Sequence, residues 1–115
     1  MTRTFIETIE FTKQWQALGL TDETLSILQN EIMRHPECGD MMKGTGGLRK
    51  LRIPFAGHGK SGGARVCYVD FAAYEKTYLI TVFAKGEKAN LSSEEKSAVR
   101  GMLKQMAEEM ERYLK

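Results

Sequence analysis

The chain has 115 residues, 42% of them apolar and 28% charged, with a formal net charge of +2. That length fits one domain, and the composition is that of a folded chain rather than a disordered one. No run of about 18 apolar residues occurs, the first residues lack the apolar core of a signal peptide, and two cysteines make no disulfide framework. The sequence therefore points to a reducing cytoplasm and to no membrane.

Residues 3–11, Arg-Thr-Phe-Ile-Glu-Thr-Ile-Glu-Phe, are rich in β-branched and aromatic side chains and predict an opening strand. Lys13 to Leu18 predicts a short helix closed at Gly19. Thr21 is an N-cap candidate with Asp22 and Glu23 in the first turn, where the helix dipole favours acids. Leu25, Leu28 and Ile32 form one apolar stripe, and Pro36 stops the helix near His35. Residues 37–47 read as a turn-rich connection ending in Gly44-Thr45-Gly46-Gly47. Leu48 to Ile53 predicts a strand, Phe55 to Gly63 a loop, and 64–71 and 77–84 two further strands joined through 72–76, an antiparallel meander. Ser92 and Glu95 form a capping box, and Val99, Met102, Leu103, Met106 and Met110 give the last helix an apolar face. The expected class is α+β: an antiparallel sheet of about four strands, two N-terminal helices and a C-terminal helix, with the helices on one side of the sheet, in a single domain over 1–115.

The charge is unevenly spread. Residues 1–42 carry three basic and seven acidic side chains, and residues 66–115 carry eight of each. Residues 43–65 carry six basic side chains, no acid, and seven of the eleven glycines. A glycine-rich segment with only positive charge reads as a phosphate-facing surface.

Tempting motifs in this window fail on context. Gly59-Lys60-Ser61 resembles the end of a P-loop, but Pro54 stands where the motif needs glycine and a strand follows instead of a helix. Gly59 to Gly63 also fits a Gly-x-Ser-x-Gly nucleophile elbow, which likewise demands a strand-to-helix turn in a larger α/β domain. Cys38 and Cys67 have no partner at metal-ligand spacing, and Cys67 reads as a buried strand residue. No metal or other cofactor is expected.

Residues two apart in a strand share a face. Lys50 and Arg52 therefore point one way, opposite to Leu51 and Ile53, and Arg65 shares a face with Cys67 and Val69. Thr81, Phe83 and Lys85 share a third. With the strands adjacent, Lys50, Arg52, Arg65 and Lys85 gather around Phe83, an inventory suited to single-stranded RNA: cations for phosphates and a ring for a base.

Gly46-Gly47-Leu48-Arg49-Lys50-Leu51-Arg52, Gly59-Lys60-Ser61-Gly62-Gly63-Ala64-Arg65-Val66, Tyr78 to Lys85 and Ala89-Asn90-Leu91-Ser92 resemble the RelE/HigB toxins of bacterial type II toxin–antitoxin systems, most of all the HigB-type branch. The likeness covers essentially the whole chain and is strongest from Gly44 to Leu91. It implies a RelE-like fold and a ribosome-dependent mRNA endonuclease of the ribosomal A site. In that reaction, independent of metal, the 2′-hydroxyl attacks the adjacent phosphate. The family's catalytic basic residues carry over to Lys50, Arg52, Arg65 and Lys85, with Lys50 the first candidate for the general base. Arg49, Lys60, Phe83 and Lys88 are expected to bind RNA. Tyr113 is the one C-terminal candidate for proton transfer. The resemblance further implies a helix-turn-helix antitoxin, and operator DNA bound only through the toxin–antitoxin complex. Two rivals share the fold: a ParE-like gyrase inhibitor and a non-catalytic RNA-binding domain.

Overall fold

The computed structural model of the chain describes residues 2–54, 63–84 and 90–113. The elements in chain order are β1 (Thr4–Glu7), α1 (Ile9–Ala17), α2 (Asp22–Arg34), β2 (Asp40–Met41), β3 (Arg49–Pro54), β4 (Gly63–Phe71), β5 (Lys76–Ala84) and α3 (Ser93–Tyr113), with a 3-10 turn over Ala72–Tyr74. The five strands form one sheet in the order β1-β5-β4-β3-β2. Among the described residues no helix is long and apolar enough to cross a membrane.

The expected β3–β4–β5 meander is present and antiparallel. Three features of the strands depart from expectation. First, the opening strand stops at Glu7, because Thr8 caps a helix instead of extending the strand. Its hydroxyl accepts the Phe11 N–H at 3.0 Å and donates to the Ile80 carbonyl at 2.7 Å. Second, β1 runs parallel to β5, so the sheet is mixed. Third, the turn-rich connection contains a two-residue strand, β2, that pairs with β3.

β1 is too short to cover β5, and side chains of the next helix complete the edge. Gln14 Oε1 accepts the Val82 N–H at 3.0 Å and the Thr81 hydroxyl at 2.8 Å. This leaves no exposed backbone donor at Val82, where the sheet edge would otherwise be open.

Helices lie on both faces of the sheet, not on one. Phe11 and Trp15 of α1, stacked at 5.4 Å between centroids, and Leu28 and Ile32 of α2 pack on Ile53, Ala64, Val66, Tyr68, Leu79 and Val82. The alternate strand positions, Cys67, Val69, Ile80 and Phe83, join Met42, Leu48, Leu91 and Leu103 in a second core. Val99, Met102 and Met106 of α3 cover that core as the apolar stripe predicted. A β-bulge makes this division possible: Leu79 pairs with Tyr68 and Thr81 with Cys67, so the intervening Ile80 is extra and turns toward α3. Each large side chain buried in these cores contributes about 1.5–3 kcal/mol. The capping box of α3 is formed, with Ser92 N–H on Glu95 Oε1 at 2.8 Å and Glu95 N–H on Ser92 Oγ at 3.1 Å.

Candidate nucleic-acid interface

The site grows from the β3–β4 register. Arg52 stands directly opposite Arg65, and Lys50 opposite Cys67. Arg65 in turn faces Phe83 on β5. Directly opposed residues share a face, so Lys50, Arg52 and Arg65 lie together on the α3 side of the sheet. That face is divided along its length. Its Leu48–Val69 end lies in the second core under α3, whereas Arg52 is exposed and Lys50 and Arg65 are half-buried.

The two arginines meet over Gly63. A Cβ placed on Gly63 would lie 3.3 Å from Arg52 Nε and 3.4 Å from Arg65 Nη1. A glycine here lets both guanidinium groups settle against the backbone. Among the described residues Arg65 Nη1 is buried with no hydrogen-bond partner, and neither arginine has an acidic partner. Two cations directly opposed, one with a buried donor that has no partner among the described residues, are suited to bind an anion. An unmade buried hydrogen bond costs about 1–3 kcal/mol, and opposed like charges add to that cost. A phosphate oxygen answers both.

The remaining expected RNA-contacting residues fare differently. Phe83 is 3% exposed and sits in the second core, so its ring is packed and offers no open platform for a base. Arg49 points to the opposite face from Lys50. Its Nη1 donates to the Gly39 carbonyl at 2.8 Å and to the Glu37 carbonyl at 3.4 Å, which makes it a tie for the α2–β2 connection. Lys60, Lys85 and Lys88 lie outside the described residues. Tyr113 ends the described part of α3 with its ring 73% exposed under the Arg112 guanidinium, 5.6 Å from the centroid.

The glycine-rich stretch before β3 is also structural. Thr45 is fully buried; its hydroxyl donates to the Met42 carbonyl at 2.7 Å and accepts the Leu48 N–H at 3.1 Å. Gly46 and Gly47 follow at φ of +77° and +128°, conformations that side-chain-bearing residues rarely adopt. This turn fixes the β2–β3 register and so places Asp40 opposite Lys50. Asp40 is an acidic residue on the cationic face that sequence reasoning passed over. A two-residue strand has no periodicity to betray it, and its one signal is the turn that follows.

The family model described as "RelE toxin of RelE / RelB toxin-antitoxin system" matches residues 2–115. Among solved structures, the free state of a double arginine-to-alanine mutant of the E. coli toxin RelE is similar with a TM-score of 0.52 and 16% sequence identity. The match covers 71% of this chain and 82% of that one. At that identity the likeness speaks to the fold.

Proposed function

Because the chain belongs to the RelE toxin family of toxin–antitoxin systems, we propose that it is a ribosome-dependent mRNA endonuclease that arrests translation. The observation that carries this reading is the opposed pair Arg52 and Arg65, with the buried Nη1 of Arg65 unpartnered among the described residues. Cleavage of RNA through its own 2′-hydroxyl builds negative charge on the phosphate oxygens. Preorganised donors aimed at that charge lower the barrier, and one such donor is worth about 10²–10³ in rate. In this reading Arg52 and Arg65 hold the non-bridging oxygens, Lys50 takes part in proton transfer, and Lys85 completes the cationic set. Lys60 and Lys88 bind RNA backbone. The nucleophile belongs to the substrate, so the reaction calls on no cofactor.

A toxin that stops its host's translation needs restraint, and an antitoxin is the partner that family membership implies. We assign that partner to the helix-turn-helix class, with operator DNA bound by the complex, and we assign the toxin's action to the cytoplasm, where ribosomes and mRNA are met.

Expression of the chain without its antitoxin, followed by primer extension on ribosome-bound mRNA, tests the reading. The expected result is a halt in protein synthesis with messages cut within codons, abolished by Arg52→Ala and Arg65→Ala. DNA damage with intact mRNA would point instead to gyrase. Ribosome binding with intact mRNA would point to a binding domain. Either result refutes the nuclease.

A further inference from the structure

RNA cleavage of this kind needs an acceptor for the 2′-hydroxyl proton, and the cationic face offers few. Arginine and protonated lysine are donors only. On the described part of this face, Lys50, Arg52 and Arg65 supply cations, Cys67 is fully buried, and the Thr81 hydroxyl is given to Gln14 at 2.8 Å. Asp40 is the exception. It stands directly opposite Lys50, it is exposed, and its carboxylate has no hydrogen-bond or ion-pair partner among the described residues. Arg52 is its diagonal neighbour across the β2–β3 pair, about 7–8 Å away by the geometry of such pairs. A nucleotide held on the arginines is within reach of a side chain at that position.

The placement of Asp40 is supported from beneath. Tyr68 is fully buried, and its hydroxyl accepts the Gly39 N–H at 2.9 Å and donates to the Pro36 carbonyl at 2.8 Å. Arg49 Nη1 donates to the Gly39 carbonyl at 2.8 Å. A Cβ on residue 39 would lie 2.8 Å from Tyr68 Cε1, so only glycine fits there. The residue before Asp40 is thus held through its N–H, its carbonyl and its Cα. A free carboxylate on a clamped backbone, facing cations, is the arrangement a positioned base requires.

We propose that Asp40 is the general base of RNA cleavage and Lys50 the general acid, an assignment that rests on the nuclease reading above. An Asp40 carboxylate oxygen takes the 2′-hydroxyl proton as the 2′-oxygen bonds to phosphorus. The P–O5′ bond breaks, its electron pair stays on O5′, and that oxygen takes a proton from the Lys50 ammonium. The products are a 2′,3′-cyclic phosphate and a 5′-hydroxyl. Water returns the proton from Asp40 to Lys50. This reverses the sequence-based expectation that Lys50 is the base.

The test uses ribosomes programmed with a defined mRNA. For Asp40→Asn, single-turnover cleavage is expected to fall about 10²–10⁴-fold, with ribosome cosedimentation and melting temperature unchanged. Asp40→Glu recovers part of the rate. A message carrying a 5′-bridging sulfur at the cut site has a leaving group that needs no proton. It restores cleavage by Lys50→Ala and fails to restore Asp40→Asn. An Asp40→Asn rate within about tenfold of the parent, sulfur rescue of both variants, or a loss of ribosome binding or stability that parallels the loss of cleavage overturns the assignment. A parent protein that leaves the message intact overturns the nuclease reading, and the assignment with it.

Discussion

Replacing Arg65 with methionine is expected to move stability and activity in opposite directions. Among the described residues Arg65 Nη1 is buried without a hydrogen-bond partner, a cost of about 1–3 kcal/mol. The guanidinium also stands directly opposite that of Arg52, a repulsion of about 0.2–1 kcal/mol for an opposed like-charged pair. Methionine keeps the unbranched apolar stem against the sheet and removes both terms. The net expectation is a gain of about 1–2 kcal/mol after allowance for imperfect repacking. For a domain of this size that corresponds to a rise of roughly 4–8 °C in melting temperature. Cleavage of ribosome-bound mRNA should meanwhile fall about 10²–10³-fold, the worth of one preorganised donor to the developing charge. Thermal unfolding followed by circular dichroism, beside single-turnover cleavage, gives both numbers. A melting temperature that falls by several degrees would mean that Arg65 ties the fold together. That result would refute the reading of Arg52 and Arg65 as a phosphate-binding pair.

Gly63→Ala places a methyl group 3.3 Å from Arg52 Nε and 3.4 Å from Arg65 Nη1. It should displace both guanidinium groups and lower cleavage about tenfold or more, as small misplacements at a reacting centre do. Unchanged cleavage would show that the convergence over Gly63 has no functional part. Tyr68→Phe removes the hydroxyl that serves both Gly39 N–H and the Pro36 carbonyl, and should cost about 1–3 kcal/mol in denaturant unfolding. Burial also holds the Tyr68 phenol well above its ordinary pKa. Its folded value therefore exceeds its unfolded one. The parent's stability is fully present below about pH 10, the unfolded tyrosine value, and declines as pH rises beyond it. The phenylalanine variant should lose the part of that decline due to Tyr68. An unaltered alkaline slope would contradict the burial argument.

Much of this protein was legible locally. The α2 cap at Thr21, its stop before Pro36, the capping box of α3 and the three-stranded meander all depend on residues near one another in sequence. The alternation that put Lys50 and Arg52 on one face, and Leu51 and Ile53 on the other, follows from the two-residue period of a strand. Those signals, with the family likeness, carried the reading as far as a cationic strand pair.

What lay beyond reach was settled by contacts distant along the chain. Which edge of the sheet β1 joins, and that it joins in parallel, depends on β5 about 70 residues later. The burial of Phe83 depends on α3 closing over half of one face, which no strand pattern can announce. Arg49 and Lys50 are adjacent in sequence, but the pleat sends one to brace the Gly39 backbone and the other to the cationic face. The sequence by itself determined which residues could be cationic neighbours. Tertiary structure alone decided that Arg52 and Arg65 oppose each other over a glycine, with one buried donor unpartnered among the described residues. It also decided that a two-residue strand carries Asp40 to them. Register, burial and unmet hydrogen bonds are properties of packed pairs, and a linear chain encodes them only jointly.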